Sequence, residues 1–151
     1  MKIGFCADIH AGNHKLFGGA LVSGINSRCA MVVEALRKAY GIASEAGCEA
    51  VVIAGDLFDT SSPEPQIIHA VQQVIGAAGQ LPTYVCMGNH DMESYDIGDN
   101  ALGPLRPVAV VVERPRCVSL RSSATNHVVD LWLVPFRPGC ATEWLRGTLE
   151  G

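Results

Sequence analysis

No stretch of this sequence approaches the ~20 consecutive apolar residues that a membrane-spanning helix needs. Internal repeats and low-complexity tracts are also absent, which excludes solenoids, propellers and biased disordered tails. The six cysteines (Cys6, Cys29, Cys48, Cys86, Cys117 and Cys140) never form a C-x-x-C pair, so a zinc ribbon has no support. Scattered thiols of this kind suit a reduced, intracellular protein. Charge is sparse, 17% of residues with a net charge of −4, so the strongly basic footprint of many nucleic-acid binders is missing. The start, Met1-Lys2-Ile3-Gly4-Phe5, reads as a strand and not as a signal peptide, because Asp8 and His10 interrupt the apolar run too early. The expectation is a cytoplasmic protein with no membrane partner.

What remains is an ordinary globular composition. The chain has 151 residues, 48% of them hydrophobic, enough for one domain with a real core. Charge is distributed unevenly. Most acids, among them Asp8, Asp56, Asp59, Asp91, Asp96 and Asp99, lie in the first hundred residues, whereas Arg106, Arg114, Arg116, Arg121, Arg137 and Arg146 face only four acids after position 100. An acidic first part fits a cation site, and the arginines are available to phosphates.

Three short apolar runs each end in polar residues. Residues 2–8 form the first strand and deliver Asp8-Ile9-His10. Glu49 to Ala54 form the second and end in Gly55-Asp56-Leu57-Phe58-Asp59. Thr83 to Met87 form the third and lead into Gly88-Asn89-His90-Asp91. Between them, a helix is expected from about Asn26 to Ala46, with Val32, Leu36, Ala39 and Ala43 as its apolar stripe. Asn26 or Ser27 would cap it and Gly47 would end it. A second helix starts after the Pro63-Glu64-Pro65 turn, with Ile67, Val71, Val74 and Ala78 facing inward. Residues 11–25 read as a loop, and His14, His69 and His127 as surface or structural histidines. Strand–helix–strand–helix–strand implies parallel strands, whose C-terminal ends share one edge where sites gather. Asp8, His10, Asp56, Asn89, His90 and Asp91 all fall at that edge. Polar groups packed so densely beside buried strands need compensation, which a cation would supply. Later, Val108 to Val112, Arg116 to Leu120 and Val128 to Val134 read as strands, the last two joined by a turn at 122–126. An amphipathic helix is expected from Thr142 to Leu149.

Asp8-x-His10, Gly55-Asp56 and Gly88-Asn89-His90-Asp91, in this order and spacing, resemble the calcineurin-like metallophosphoesterase superfamily. The segment Gly55 to Pro63, with Arg28 and the helix after it and Leu133-Val134-Pro135-Phe136-Arg137, is similar to the SbcD-like branch of DNA repair and recombination nucleases. The resemblance spans nearly the whole chain and is densest over residues 1–92. It implies an α/β fold, the βαβαβ start of a metallophosphoesterase sandwich: a mostly parallel sheet with helices outside, later strands mixed, and the whole incomplete. Residues 1–151 would be the N-terminal portion of a nuclease domain. It further implies two divalent metal ions, manganese before iron or zinc. Asp8 and His10 would hold one, Asp56 would bridge both and Asn89 would hold the second. His90 would protonate the leaving oxygen, oriented by Asp91. Paired cations clamp and polarise a phosphodiester, and imidazole with carboxylate suits such transition metals. The implied activity is exonuclease or endonuclease cleavage of DNA, with an SMC-like, SbcC-like ATPase subunit as partner and a homodimer as the assembly.

The sequence also departs from the family's pattern. Its later histidine and its Gly-His-x-His motif have no counterpart after Asp91, so these residues supply about half of a two-metal site and little activity is expected of them alone. Two other readings compete: a small-molecule phosphodiesterase or phosphatase of the same superfamily, and an inactive module docking to an ATPase or DNA.

Overall fold

The computed structural model describes residues 1–151 except 17, 80, 95–97, 138–145 and 148–151. Strand β1 (Ile3–Cys6) is followed by a two-stranded hairpin, β2 (Leu21–Val22) and β3 (Ile25–Asn26), and by helix α1 (Ser27–Glu45). Next come β4 (Ala50–Ala54), α2 (Pro65–Ala77) and β5 (Thr83–Cys86). A 3₁₀ turn (Gly103–Leu105), β6 (Val110–Val112) and a second hairpin, β7 (Arg116–Arg121) with β8 (Val128–Leu133), complete the elements. The expected βαβαβ frame is present. The helix expected from Thr142 to Leu149 falls outside the described residues apart from Arg146 and Gly147, and Cys140 is also outside them.

The main sheet has the order β1-β4-β5-β6 and every pairing in it is parallel. Each crossover therefore advances one strand in the same direction, which places all C-terminal strand ends on one edge. Alternation along β4 explains the layering. Val51 and Ile53 pack against Val33, Leu36, Val71 and Val74 of the two helices. Ala50 and Val52 face the other way, with Tyr84 and Cys86 of β5, Val112 of β6 and, from the β7–β8 hairpin, Leu133. Both faces of β4 are covered, which is why its sequence is continuously apolar rather than alternating. The result is helices, sheet and hairpin in three layers.

The helix ends obey local chemistry. The Asn26 side chain accepts a hydrogen bond from the Cys29 N–H at 2.8 Å, satisfying one of the orphan donors at the start of α1. Gly47, with φ of 71°, lets the chain leave the helix in the left-handed region. One expectation needs correcting: residues 11–25 are not loop throughout. Ser23 and Gly24 both have positive φ, 53° and 82°, the conformation that closes a two-residue hairpin between β2 and β3.

The β7–β8 hairpin leaves the β1 side of the sheet open. Phe5 is 64% exposed and Trp132 47% exposed, on a groove of about 400 Å³ that ends at Asp56, Gly88 and Asn89. The hairpin's tip is tethered to the start of β4. The Glu49 carboxylate accepts from the Ser122 hydroxyl at 2.9 Å and from the Ser123 N–H at 2.7 Å. These bonds hold its pKa below the usual glutamate range, led by the Ser123 backbone N–H. A depressed folded-state pKa stabilises above the unfolded value and is lost as pH falls through the folded one. Acidification through and below the ordinary glutamate range, or Glu49→Gln at neutral pH, should therefore lower the protection factor of the Ser123 amide relative to its intrinsic exchange rate at the same pH. Protection unchanged in both cases would show that the tether is not formed.

Candidate metal centre

Beyond the strands, the backbone of the first two loops continues in parallel. The N–H of Asp8 donates to Gly55 O at 3.2 Å, that of His10 to Asp56 O at 3.0 Å and that of Ala11 to Leu57 O at 2.9 Å. The third loop, Met87 to Asp91, joins through side chains. Asp91 is fully buried, and its two carboxylate oxygens accept from the Phe58 N–H at 3.0 Å and the Gly88 N–H at 2.9 Å. Asp56 Oδ1 accepts from the His90 N–H at 2.9 Å. Two carboxylates thus cross-link the loops after β4 and β5. Burial pushes the Asp91 carboxyl above its usual range, and the Phe58 and Gly88 N–H groups pull it partly back.

Gly88 makes this approach possible. A Cβ there would lie 2.2 Å from both the backbone nitrogen and Oδ1 of Asp56, so no side chain fits. Backbone strain gathers at the same place. Asp8, His10 and Asp56 have φ of 53°, 49° and 51°, in the left-handed region that costs a non-glycine residue of order 1–3 kcal/mol. That strain is held by the surrounding backbone bonds of Asp8, His10 and Ala11 to the loop after β4.

The loops bring three of the expected residues together. Donor atoms of His10, Asp56 and His90 all lie within 4.8 Å of one another, and the His10 and His90 rings meet edge to face with centroids 4.6 Å apart. Asp8 is exposed and stands outside this trio. Asn89 is exposed on the groove beside Asp56. His90 Nδ1 bonds to the carbonyl oxygen of Asp59 at 3.0 Å, so Nδ1 carries the proton and Nε2 is free. That bond, followed by the charges of Asp56, Asp59 and Asp91, holds the His90 imidazole above its ordinary pKa.

The profile of calcineurin-like phosphoesterases matches residues 1–135. The chain belongs to the calcineurin-like phosphoesterase family. Among solved structures, it is similar to a nuclease MPE of Pseudomonas putida, with 23% identity and a TM-score of 0.49, over 76% of this chain and 48% of that one. The chain thus spans about half the length of that nuclease. Comparison with curated proteins returned no match.

Enzymes of this phosphoesterase family use divalent metals, and the trio is chemically suited to one. A carboxylate and two imidazoles make a mixed O/N donor set for first-row transition metals. His10 Nδ1 is buried without a hydrogen-bond partner among the described residues, so no hydrogen bond competes for that nitrogen.

Two findings differ from the sequence reading. His90 is oriented by the Asp59 carbonyl, not by the Asp91 carboxylate, because adjacent residues point apart here and Asp91 turns into the core. His14 is not a free surface histidine: it is half-buried, with Nδ1 3.4 Å from Asp59 Oδ2. Asp59 itself carries no assignment from the sequence, although it lies only three residues beyond Asp56 on the same loop. His69 and His127 are exposed, as expected. If Asp91 staples the loops, Asp91→Ala strands two buried N–H groups and should cost about 3 kcal/mol or more in urea unfolding, with Asp91→Asn losing less. Full stability in Asp91→Ala would show that the carboxylate does not staple the loops.

Proposed function

We propose that this chain carries part of a two-cation site for phosphodiester hydrolysis, and that its substrate is DNA, cleaved from an end or internally. The observation that carries this reading is the convergence of His10, Asp56 and His90 donor atoms at one sheet edge. Bound divalent cations would supply Lewis-acid polarisation of the phosphoryl group. Asp8 and His10 would hold one of them, manganese for preference, Asp56 would bridge to the second, and Asn89 would hold that second ion from the groove side. Asp56 has two oxygens for bridging, although one already accepts from the His90 N–H. Asn89 offers a ligand without adding charge.

His90 has a distinct task. Its Nδ1 proton is committed to the Asp59 carbonyl, so a proton delivered to a leaving oxygen must sit on Nε2. The Asp59 contact sets the ring's direction, and the Asp56 contact to its N–H sets the backbone beneath it. Within the family, the Gly55-to-Pro63 segment supports the SbcD-like branch, with an SMC-like ATPase and a second copy as partners in double-strand-break processing. The donors present fall short of two full coordination spheres. Residues 1–151 alone should therefore bind metal weakly and cleave little.

Calorimetric titration with Mn²⁺ tests this directly. The expected result is weak binding that Asp56→Ala abolishes. Two tight sites on the 151-residue chain would contradict the partial-site reading, and no binding at all would contradict the metal reading. In the longest native chain containing these residues, His90→Ala should slow Mn²⁺-dependent cleavage of linear duplex DNA by about 10²–10⁴-fold. Preference for a nucleotide diester over DNA would redirect the substrate class.

A further inference from the structure

Asp59 faces three imidazoles at once. Its carbonyl accepts from His90 Nδ1 at 3.0 Å. Its carboxylate has Oδ1 3.6 Å from His10 Nδ1 and Oδ2 3.4 Å from His14 Nδ1. The residue has little freedom to move: a Cβ on Gly12 would come within 2.5 Å of the Asp59 Cβ, and the Asp59 N–H donates to Ala11 O at 3.2 Å. Its carboxylate is therefore wedged against the loop after β1.

His14 is as firmly built in. The His14 carbonyl accepts from Asn26 Nδ2 at 3.1 Å, Asn26 being the N-cap of α1. Asn13 bridges Gly24 O at 2.7 Å and the Asn26 N–H at 2.8 Å. The loop, the β2–β3 hairpin and the helix cap thus deliver the His14 ring to the Asp59 carboxylate.

We propose that Asp59 and His14 form a positioning pair for His10. His14 draws one carboxylate oxygen, leaving the other to face His10 Nδ1. An anion opposite Nδ1 favours the proton on that nitrogen and leaves Nε2 as the lone-pair donor. A carboxylate behind a ligating imidazole fixes its tautomer and ring orientation, and its removal typically costs 10–100-fold in metal affinity. The same residue, through its carbonyl, commits the His90 proton to Nδ1 in the same way. One aspartate would thus leave Nε2 of both rings available, as a metal donor on His10 and as the proton carrier on His90. This inference rests on the reading of His10 as a metal donor.

The test combines nitrogen NMR of the imidazoles in the metal-free 151-residue chain with Mn²⁺ titration of the same samples. In the unsubstituted chain, His10 should be the Nδ1–H tautomer. Asp59→Ala should shift it toward Nε2–H and weaken Mn²⁺ binding by about 10–100-fold. Asp59→Asn, which keeps an oxygen on that side chain but loses its charge, should recover the tautomer only in part. His14→Ala changes only a ring beyond the backbone bonds. It should keep the circular dichroism of the parent chain while shifting the His10 tautomer part of the way. An Nε2–H tautomer for His10 in the unsubstituted chain overturns the positioning pair. So does unchanged Mn²⁺ affinity in a folded His14→Ala chain whose His10 signals also stay in place. An unsubstituted chain that binds no Mn²⁺ overturns the metal reading of His10 and this inference with it.

Discussion

The buried Asp91 carboxylate, holding the N–H groups of Phe58 and Gly88, is the interaction on which the site depends. Parallel strands end near one another but do not by themselves fix the loops beyond them. The first two loops are joined by backbone hydrogen bonds that extend the β1–β4 pairing. No such ladder binds the loop after β5 to the loop after β4 among the described residues, and a side chain performs that task. An ionised acceptor inside the protein bonds strongly to backbone donors, and its burial is tolerable because both oxygens are engaged. With that link in place, the Cα of Gly88 can pass Gly55 and Asp56 at a distance that admits no Cβ. His90 is then held over Asp56.

Strain and chemistry coincide at this edge. Three of the non-glycine residues with positive φ among those described, Asp8, His10 and Asp56, are also three of the expected metal ligands. A short acidic side chain tolerates the left-handed region better than most. His10 is less suited to it, and its backbone is secured by the Asp56 carbonyl on one side and by the following Ala11–Leu57 bond on the other. The strand edge therefore does more than collect polar residues. It brings donor atoms of His10 and Asp56 together with one of His90.

Much of this is legible in the amino-acid sequence. Three apolar runs closed by Asp-x-His, Gly-Asp and Gly-Asn-His-Asp imply parallel strands with a shared functional edge, because period and punctuation are local properties. Asn26 as a cap and Gly47 as a terminator are readable for the same reason. The β2–β3 hairpin is signalled by Ser23-Gly24, but two-residue strands have too little pattern to separate from a loop. Asp59 is hidden differently: its contact with His90 runs through a carbonyl, which every residue possesses. The role of His14 is invisible because its partner is reached only when the hairpin folds back onto the cap of α1. For Asp91, adjacency to His90 in sequence suggests a partnership that the inward turn of its side chain does not make.

The central claim is that the loops after β1, β4 and β5 together form one cation site. Mn²⁺ is paramagnetic, so its addition to the isotopically labelled chain reports distance directly through broadening of imidazole signals. Selective loss of the His10 and His90 resonances at low Mn²⁺ is expected, with His69 on α2 and His127 at the β7–β8 turn staying sharp. Uniform broadening of all the imidazoles, or broadening that begins at His69 or His127, would contradict it.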